Sequence, residues 1–296
     1  MRTRTTTRTD FVPTERDREI VAAVSTHRAL TSDQLSLLFW GDLKANSRCR
    51  LRLRLLADHG YLERAEQPVA LSEGRRPLVY FLGKRGLALA ADVRGVPESS
   101  IDWKKEHNDV RWPFLEHLLA TNEIRVRLEV AAPRAGFTVL EWLDDKTLAS
   151  LSIRDQFTVD RLGGGAAQVA LGPDGYVSLL DPNGTTRHRA FIEADRSTVP
   201  LGRWQDKVQR YLAYFRSPVF ADRYGASKPF RVLTVTTSDE RLANMKRVTE
   251  EAGGQTWFWF STYAAFTNSN KVLQHPHWHM AGQEEIVAYP YPILTD

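Results

Sequence analysis

Arg50-Leu51-Arg52-Leu53-Arg54-Leu55 alternates a cation and a leucine at every step. Period two marks a half-buried strand, and a strand here would give the front of the chain a sheet-based fold. The residue types argue the other way. Leu and Arg are good helix formers, and no β-branched residue stands between positions 46 and 60. Read as a helix from Ser47 to His59, with Gly60 placed to stop it, the segment turns Cys49, Leu53 and Leu56 inward. Arg48, Arg50, Arg52 and Arg54 then spread over the other sides.

The flanking sequence agrees with the helix. Upstream, Thr14 can cap a helix whose apolar positions Ile20, Val21 and Val24 recur at helical spacing. Thr31 and Gln34 form a capping box, with Leu30 and Leu35 at the staple positions, which predicts a short helix over Ser32–Trp40 ended by Gly41. Downstream, Tyr61-Leu62-Glu63-Arg64 and Leu78-Val79-Tyr80-Phe81-Leu82 read as two strands around a loop that carries Gly74-Arg75-Arg76, and a further helix is expected from Gly86 to Val93. Three helices followed by a two-stranded hairpin predict a winged helix-turn-helix over residues 13–95, preceded by a flexible basic arm over 1–12.

Charge follows the same division. Residues 1–95 hold 17 Lys/Arg against 11 Asp/Glu, while the remaining 201 hold 23 against 25, so the formal net charge of +4 conceals a basic front. A basic front end suits a polyanion. The reading places the arginine-rich helix in a major groove, Arg75 and Arg76 near phosphates, and Arg2, Arg4 and Arg8 of the arm along the backbone or in a minor groove. Double-stranded DNA is the expected partner. The alternative is the same fold used for protein contacts, with its arginines merely solvated.

Residues 96–107 are polar and are expected to form a linker to a second domain over 108–296. There the pattern predicts a helix from Asn108 to about Val130 and strands over Phe137–Leu143, Gln168–Leu171, Tyr176–Leu180 and His188–Ala194. An amphipathic helix over Leu201–Arg216 follows, then a strand from Phe230, a helix capped by Ser238 and ending at Gly253-Gly254, and an aromatic strand over Thr256–Phe260. The class is α/β, in the α+β sense, with a mixed sheet.

Pro173-Asp174-Gly175 opens one of those strands, and Glu193 and Asp195 end its hairpin partner. Three carboxylates meeting there would attract a hard divalent cation, Mg²⁺ or Mn²⁺. The element order and these acids resemble the restriction-endonuclease-like, or PD-(D/E)xK, superfamily. That resemblance implies Asp174, Glu193 and Asp195 as catalytic and metal-binding residues, with Glu123, or secondarily Glu116, as a further acid. It also exposes a departure. The superfamily places a water-orienting lysine where this chain has Asp195. Lys207, which forms Lys207-x-x-x-Tyr211 on the following helix, can reach back in its place. Arg196 is a poorer substitute, because a guanidinium stays protonated. Asp195 as an additional metal ligand, or a site without activity, are the other readings. Structural alternatives exist for the acids too: Asp174 as a turn residue, and Glu193 paired with Arg187, Arg189 or Lys207.

The whole chain resembles the replication-relaxation family of plasmids and related mobile elements. The residues that carry this are Arg52 to Leu62, Arg76-Pro77-Leu78-Val79-Tyr80-Phe81-Leu82, His117 with Asn122, and Pro173-Asp174-Gly175. Phe191-Ile192-Glu193-Ala194-Asp195-Arg196-Ser197-Thr198, Lys207 with Tyr211, and Arg231 to Thr236 complete them. The resemblance implies a role in plasmid replication, relaxation or transfer, and makes Asp195 a family trait. The leading expectation is a DNA-binding protein of a mobile element whose nuclease-like second domain nicks or cleaves DNA with a divalent metal. The alternative is a non-enzymatic winged-helix regulator whose second domain serves dimerisation or partner contact. Replication or transfer proteins and a second copy in a homodimer are the expected further partners.

Other motifs carry less. His275, His277 and His279 could present three imidazoles for a metal, although Pro276 interrupts a strand. Gly163-Gly164-Gly165 lacks the Lys-Ser/Thr of a phosphate loop. No apolar run approaches a membrane span, MRTRTTTRTD has no signal-peptide core, and the lone Cys49 suits a reducing compartment, so a cytoplasmic protein is expected.

Overall fold

The computed structural model describes residues 11–68, 74–108, 111–152, 157–160, 166–224, 230–268 and 272–290. The arm residues Arg2, Arg4 and Arg8 and the Gly163–Gly165 run lie outside the described residues. The chain divides into two compact units, Met1–Val126 and Arg127–Asp296.

The first unit opens with α1 (Glu15–His27), β1 (Ala29–Thr31), α2 (Ser32–Trp40) and α3 (Ser47–Asp58). Capping boxes start α1 and α2: the Thr14 hydroxyl accepts from Asp17, and the Thr31 hydroxyl accepts from the Gln34 backbone while Gln34 returns a bond to Thr31. Leu30 and Leu35 are fully buried around the second box. The alternating segment is helical. Asn46 caps α3 by accepting from the Cys49 backbone, and Gly60, in the left-handed region at φ 75°, follows its end. Cys49, Leu53 and Leu56 are fully buried, while Leu51 lies 46% exposed, because helical period carries it away from the seam that alternation alone would have assigned it.

Next come β2 (Leu62–Ala65), β3 (Val79–Leu82) and α4 (Gly86–Arg94). β3 pairs antiparallel with both β2 and β1, giving the order β1-β3-β2. β1 has no periodic signal of its own, since its three residues double as the approach to the α2 cap. Two short 3-10 turns, Glu98–Ser100 and Lys105–Asn108, occupy the stretch read as a linker. The unit boundary falls later, inside α5 (Trp112–Arg134). The first turns of α5 belong to the front core: Leu115 and Leu119 cluster with Ala29, Val79 and Phe81, and the Asn122 amide donates to the carbonyls of His27 and Ala29.

The second unit contains β4 (Thr138–Asp144), α6 (Asp145–Ser152), the hairpin β5 (Phe157–Asp160) and β6 (Ala166–Val169), β7 (Gly175–Leu180) and β8 (Arg187–Ala194). It continues with α7 (Leu201–Arg216), α8 (Pro218–Tyr224), β9 (Phe230–Thr236), α9 (Asp239–Glu251), β10 (Phe258–Thr262), α10 (Tyr263–Thr267), β11 (Trp278–Met280) and β12 (Ile286–Val287). Seven strands form one mixed sheet in the order β12-β11-β10-β9-β8-β7-β4. β8, β9 and β10 run parallel, and α7 and α9 are the crossovers that parallel pairing requires. Both helices lie on one face of the sheet, where Trp204, Val208, Tyr211 and Phe215 of α7 meet Phe191, Val232, Phe258 and Phe260. Alternation along the strands places Glu193 on that same face as Phe191.

Candidate functional site

The acidic site of the second unit grows from the pairing of β7 with β8. Gly175 stands opposite Ile192, so Asp174 falls beside the end of β8. Its backbone N–H donates to the Ile192 carbonyl at 3.1 Å, and its Oδ2 accepts from the Ala194 N–H at 2.8 Å. Asp174 therefore grips β8 on both sides of Glu193. Gly175 is not a turn residue here, as Pro-Asp-Gly would suggest. It is the first strand residue, and a Cβ on it would lie 3.0 Å from the Trp142 ring.

Glu193 is buried, and α7 supplies its partners. Lys207 Nζ donates to Oε2 at 2.5 Å, and the Tyr211 hydroxyl donates to Oε1. Lys207 and Tyr211 are one helical turn apart, so both reach the same carboxylate. Burial drives the Glu193 carboxyl up, to about 7; Lys207 opposes that shift and the Asp174 charge reinforces it. Burial works against the Lys207 ammonium as well, but the Glu193 and Asp174 charges outweigh it and hold Lys207 above its ordinary value. The ammonium thus stays charged, and Glu193 is the member that titrates near neutrality. The Lys207 side chain keeps 27% exposure against 5% for Glu193, so the pair opens toward solvent at its lysine.

Asp195 stands apart from this group. Arg241 of α9 grips it with two bonds, Nε to Oδ2 and Nη2 to Oδ1, each 3.1 Å, and Thr236 adds a hydroxyl at 2.5 Å. The same guanidinium donates to the Val199 carbonyl at 2.6 Å, and Ser197, at φ 57°, is tied to the Thr237 hydroxyl. Asp195 anchors the turn between β8 and α7 onto the start of α9. The expected meeting of three carboxylates is accordingly corrected: among the described residues no group of three or more His, Cys, Asp or Glu side chains is arranged to hold a metal ion. Asp174 and Glu193 remain as a two-carboxylate set. Each carboxylate oxygen has two lone pairs, so Glu193 keeps acceptor capacity beside its two protein donors. Carboxylate oxygens are the donor type that a hard divalent cation such as Mg²⁺ or Mn²⁺ takes, beside waters and phosphate oxygens.

The remaining acids and histidines are placed elsewhere. Glu123 belongs to the first unit and accepts from Gln34 at 3.1 Å, and Glu116 pairs with Arg76 at 3.5 Å. His277 is buried with both ring nitrogens engaged, Nδ1 by the Ser261 hydroxyl and Nε2 by the Val272 carbonyl, each at 2.9 Å. Burial lowers its pKa, and the carbonyl fixes the proton on Nε2. The histidine run is therefore corrected to a structural feature at His277, with His275 exposed.

In the first unit the cations sort into distinct roles. Arg48 and Arg54 are exposed on α3. Arg50 folds back onto the Ala45 carbonyl, with Nε at 2.8 Å. Arg75 pairs with Glu66 at 3.2 Å. Arg52 departs from the expectation of a DNA-facing side chain: it donates through Nε and Nη2 to Asp17 of α1, which is fully buried, and its guanidinium lies 5.3 Å over the Phe11 ring. A groove of about 830 Å³ runs between α3 and the β2–β3 hairpin, with Arg50, Arg54, Arg64, Arg75 and Arg76 along its walls.

Over residues 21–228, well over half of the chain, the sequence matches the family described as replication-relaxation. The chain belongs to the replication-relaxation family. The family span takes in the arginine groove together with Asp174, Glu193, Lys207 and Tyr211, while Arg241 lies beyond it. No curated protein and no solved structure matches the chain. Among the described residues of this family member, no helix is long and apolar enough to cross a membrane.

Arg241 is the residue that sequence reading missed. One signal was available. It sits in the first turn of α9, where the helix dipole favours acids, and a cation there points to a fixed carboxylate partner.

Proposed function

We propose that this replication-relaxation protein binds double-stranded DNA through a winged helix and acts on it with a nuclease-like second unit during replication, relaxation or transfer of a mobile element. The three helices and the β2–β3 hairpin closed by β1 support the winged-helix reading, with α3 in the major groove and the hairpin loop at the backbone. The single observation that carries the nuclease reading is Lys207 Nζ at 2.5 Å from Glu193. In this reading α7 supplies the lysine missing from the strand, and its contact with Glu193 would bring it within one-water reach of a phosphate bound there.

A divalent cation held by Asp174 and Glu193 would supply Lewis-acid polarisation of the scissile phosphate. Lys207, charged throughout the neutral range, donates to the attacking water or a phosphate oxygen and offsets the negative charge that builds there. Tyr211 fixes the Glu193 carboxylate from the apolar side, and the Asp195–Arg241 pair sets the turn that delivers α7. Glu193 must be ionised to hold a cation.

Incubation with supercoiled plasmid and Mg²⁺ or Mn²⁺ tests this. Nicking is expected from the native chain and not from Asp174→Ala, and its rate should climb as pH rises through about 7, where Glu193 loses its proton. A flat pH profile, or nicking by Asp174→Ala, would sink the assignment. The engagement of both Glu193 oxygens by protein donors favours a second reading, a DNA-binding regulator whose second unit is inactive. Absence of nicking with every metal and duplex, beside intact DNA binding, would select it.

A further inference from the structure

The exposed face of α3 has a composition that phosphate binding alone does not explain. Ser47, Arg50, Leu51 and Arg54 stand at i, i+3, i+4 and i+7, so they form one stripe, and all four line the groove between α3 and the hairpin. Leu51 stands in the middle of that stripe, 46% exposed, among cations. A face built only for phosphates has no use for an apolar side chain there. A thymine C5-methyl in a major groove does offer it an apolar contact.

The cations of the groove differ in what already holds them. Lys44 pairs with Asp33 at 3.1 Å, Arg64 with Asp58 at 3.5 Å, Arg75 with Glu66 and Arg76 with Glu116. Arg50 is tethered to the Ala45 carbonyl. Arg54 is exposed and, among the described residues, has neither an acidic nor a hydrogen-bonding partner. Its whole fork is available without breaking another bond, and a bidentate fork matches guanine O6 and N7. Leu51 and Arg54 are three residues apart, about 4.5 Å along the helix axis. That is close to one base step of about 3.4 Å.

We propose that Leu51 and Arg54 determine sequence specificity, Leu51 against a thymine methyl and Arg54 on a guanine one or two base pairs away, while the paired arginines of the hairpin contact phosphates. This rests on the DNA-binding reading above. The experiment selects sites from randomised duplexes with the full chain, then measures affinity at fixed salt for the selected site and its variants. The selected site should contain a thymine and a guanine within two steps. Replacing the guanine should weaken native binding about tenfold or more, a penalty that Arg54→Ala abolishes. Replacing the thymine by deoxyuridine, which removes only the methyl, should weaken the native chain and leave Leu51→Ala unaffected. Arg75→Ala should weaken all duplexes alike and flatten the salt dependence. Duplex binding with no base preference, or an Arg54→Ala variant that weakens every sequence equally, would overturn the specificity assignment and leave DNA binding standing. No duplex binding at all would overturn both.

Discussion

Lys207→Met is expected to make the protein's stability depend steeply on pH and to abolish nicking. The methionine nearly matches the lysine stem in length and removes only the ammonium. Glu193 then keeps the burial and the Asp174 charge that raise its pKa and loses the strongest influence that lowers it, so its folded value moves above 7. A carboxyl whose folded pKa is raised contributes stability that is full below its unfolded value, about 4.3, and is lost as pH climbs through the folded value. In the native chain that loss runs from about 4.3 to about 7, where the Lys207 ammonium takes over as partner. In the variant it continues upward with nothing to arrest it. Near pH 5 the two proteins should melt alike. By pH 8 to 9 the variant should be weaker by roughly 3 kcal/mol, the cost of leaving a buried carboxylate unpaired. Thermal melts across that range provide the test. Parallel curves for the two proteins would show that Lys207 and Glu193 are not coupled. Glu193→Gln added to Lys207→Met should restore a flat profile, since it removes the group that titrates.

How far the sequence foretold this depended on whether a feature was local. The Thr14 cap, the Thr31–Gln34 capping box, the Ser47–Asp58 helix and the Leu201–Arg216 helix were legible because a cap and its first turn, or one amphipathic stripe, lie within a few consecutive residues. Lys207 and Tyr211 were legible as a pair because one turn of helix brings both to one target. Asp195 was not, since its fate depends on Arg241, 46 residues away on another element, and no local pattern ties the two together. The same holds for Arg52. From the helix alone it is one of four outward arginines, and only the position of α1 reveals that a buried carboxylate awaits it. β11 and β12 were missed for another reason: with three and two residues they are too short to show a period.

That buried carboxylate leads to the second large effect. Arg52→Ala should destabilise the first unit by roughly 3 kcal/mol, although Arg52 lies in the most basic stretch of the chain and its neighbours face solvent. Asp17 is fully buried, and burial pushes its carboxyl up. The bonds from Arg52, then those from Thr14, more than reverse that and hold it below the usual carboxylate value. Without the guanidinium the charge stays buried with only the Thr14 donors. The pH dependence has the opposite sign to that of Glu193. A depressed folded pKa contributes stability that is present above the unfolded value, about 3.9, and lost as pH falls through the folded one. The native chain should therefore outlast Arg52→Ala at neutral pH, and the gap should close in acid as Asp17 takes up its proton. Removing both charges, as Asp17→Asn with Arg52→Met, should recover much of the loss, because two uncharged groups leave no stranded ion. Denaturant unfolding at pH 7 and pH 3 measures each term. If Arg52→Ala unfolds like the native chain at pH 7, the pair is a surface contact and Arg52 rejoins Arg48 and Arg54 as a candidate for DNA. If it is destabilised as expected, any loss of DNA affinity in that variant reports the fold rather than the interface, and Arg54→Ala becomes the substitution that isolates recognition.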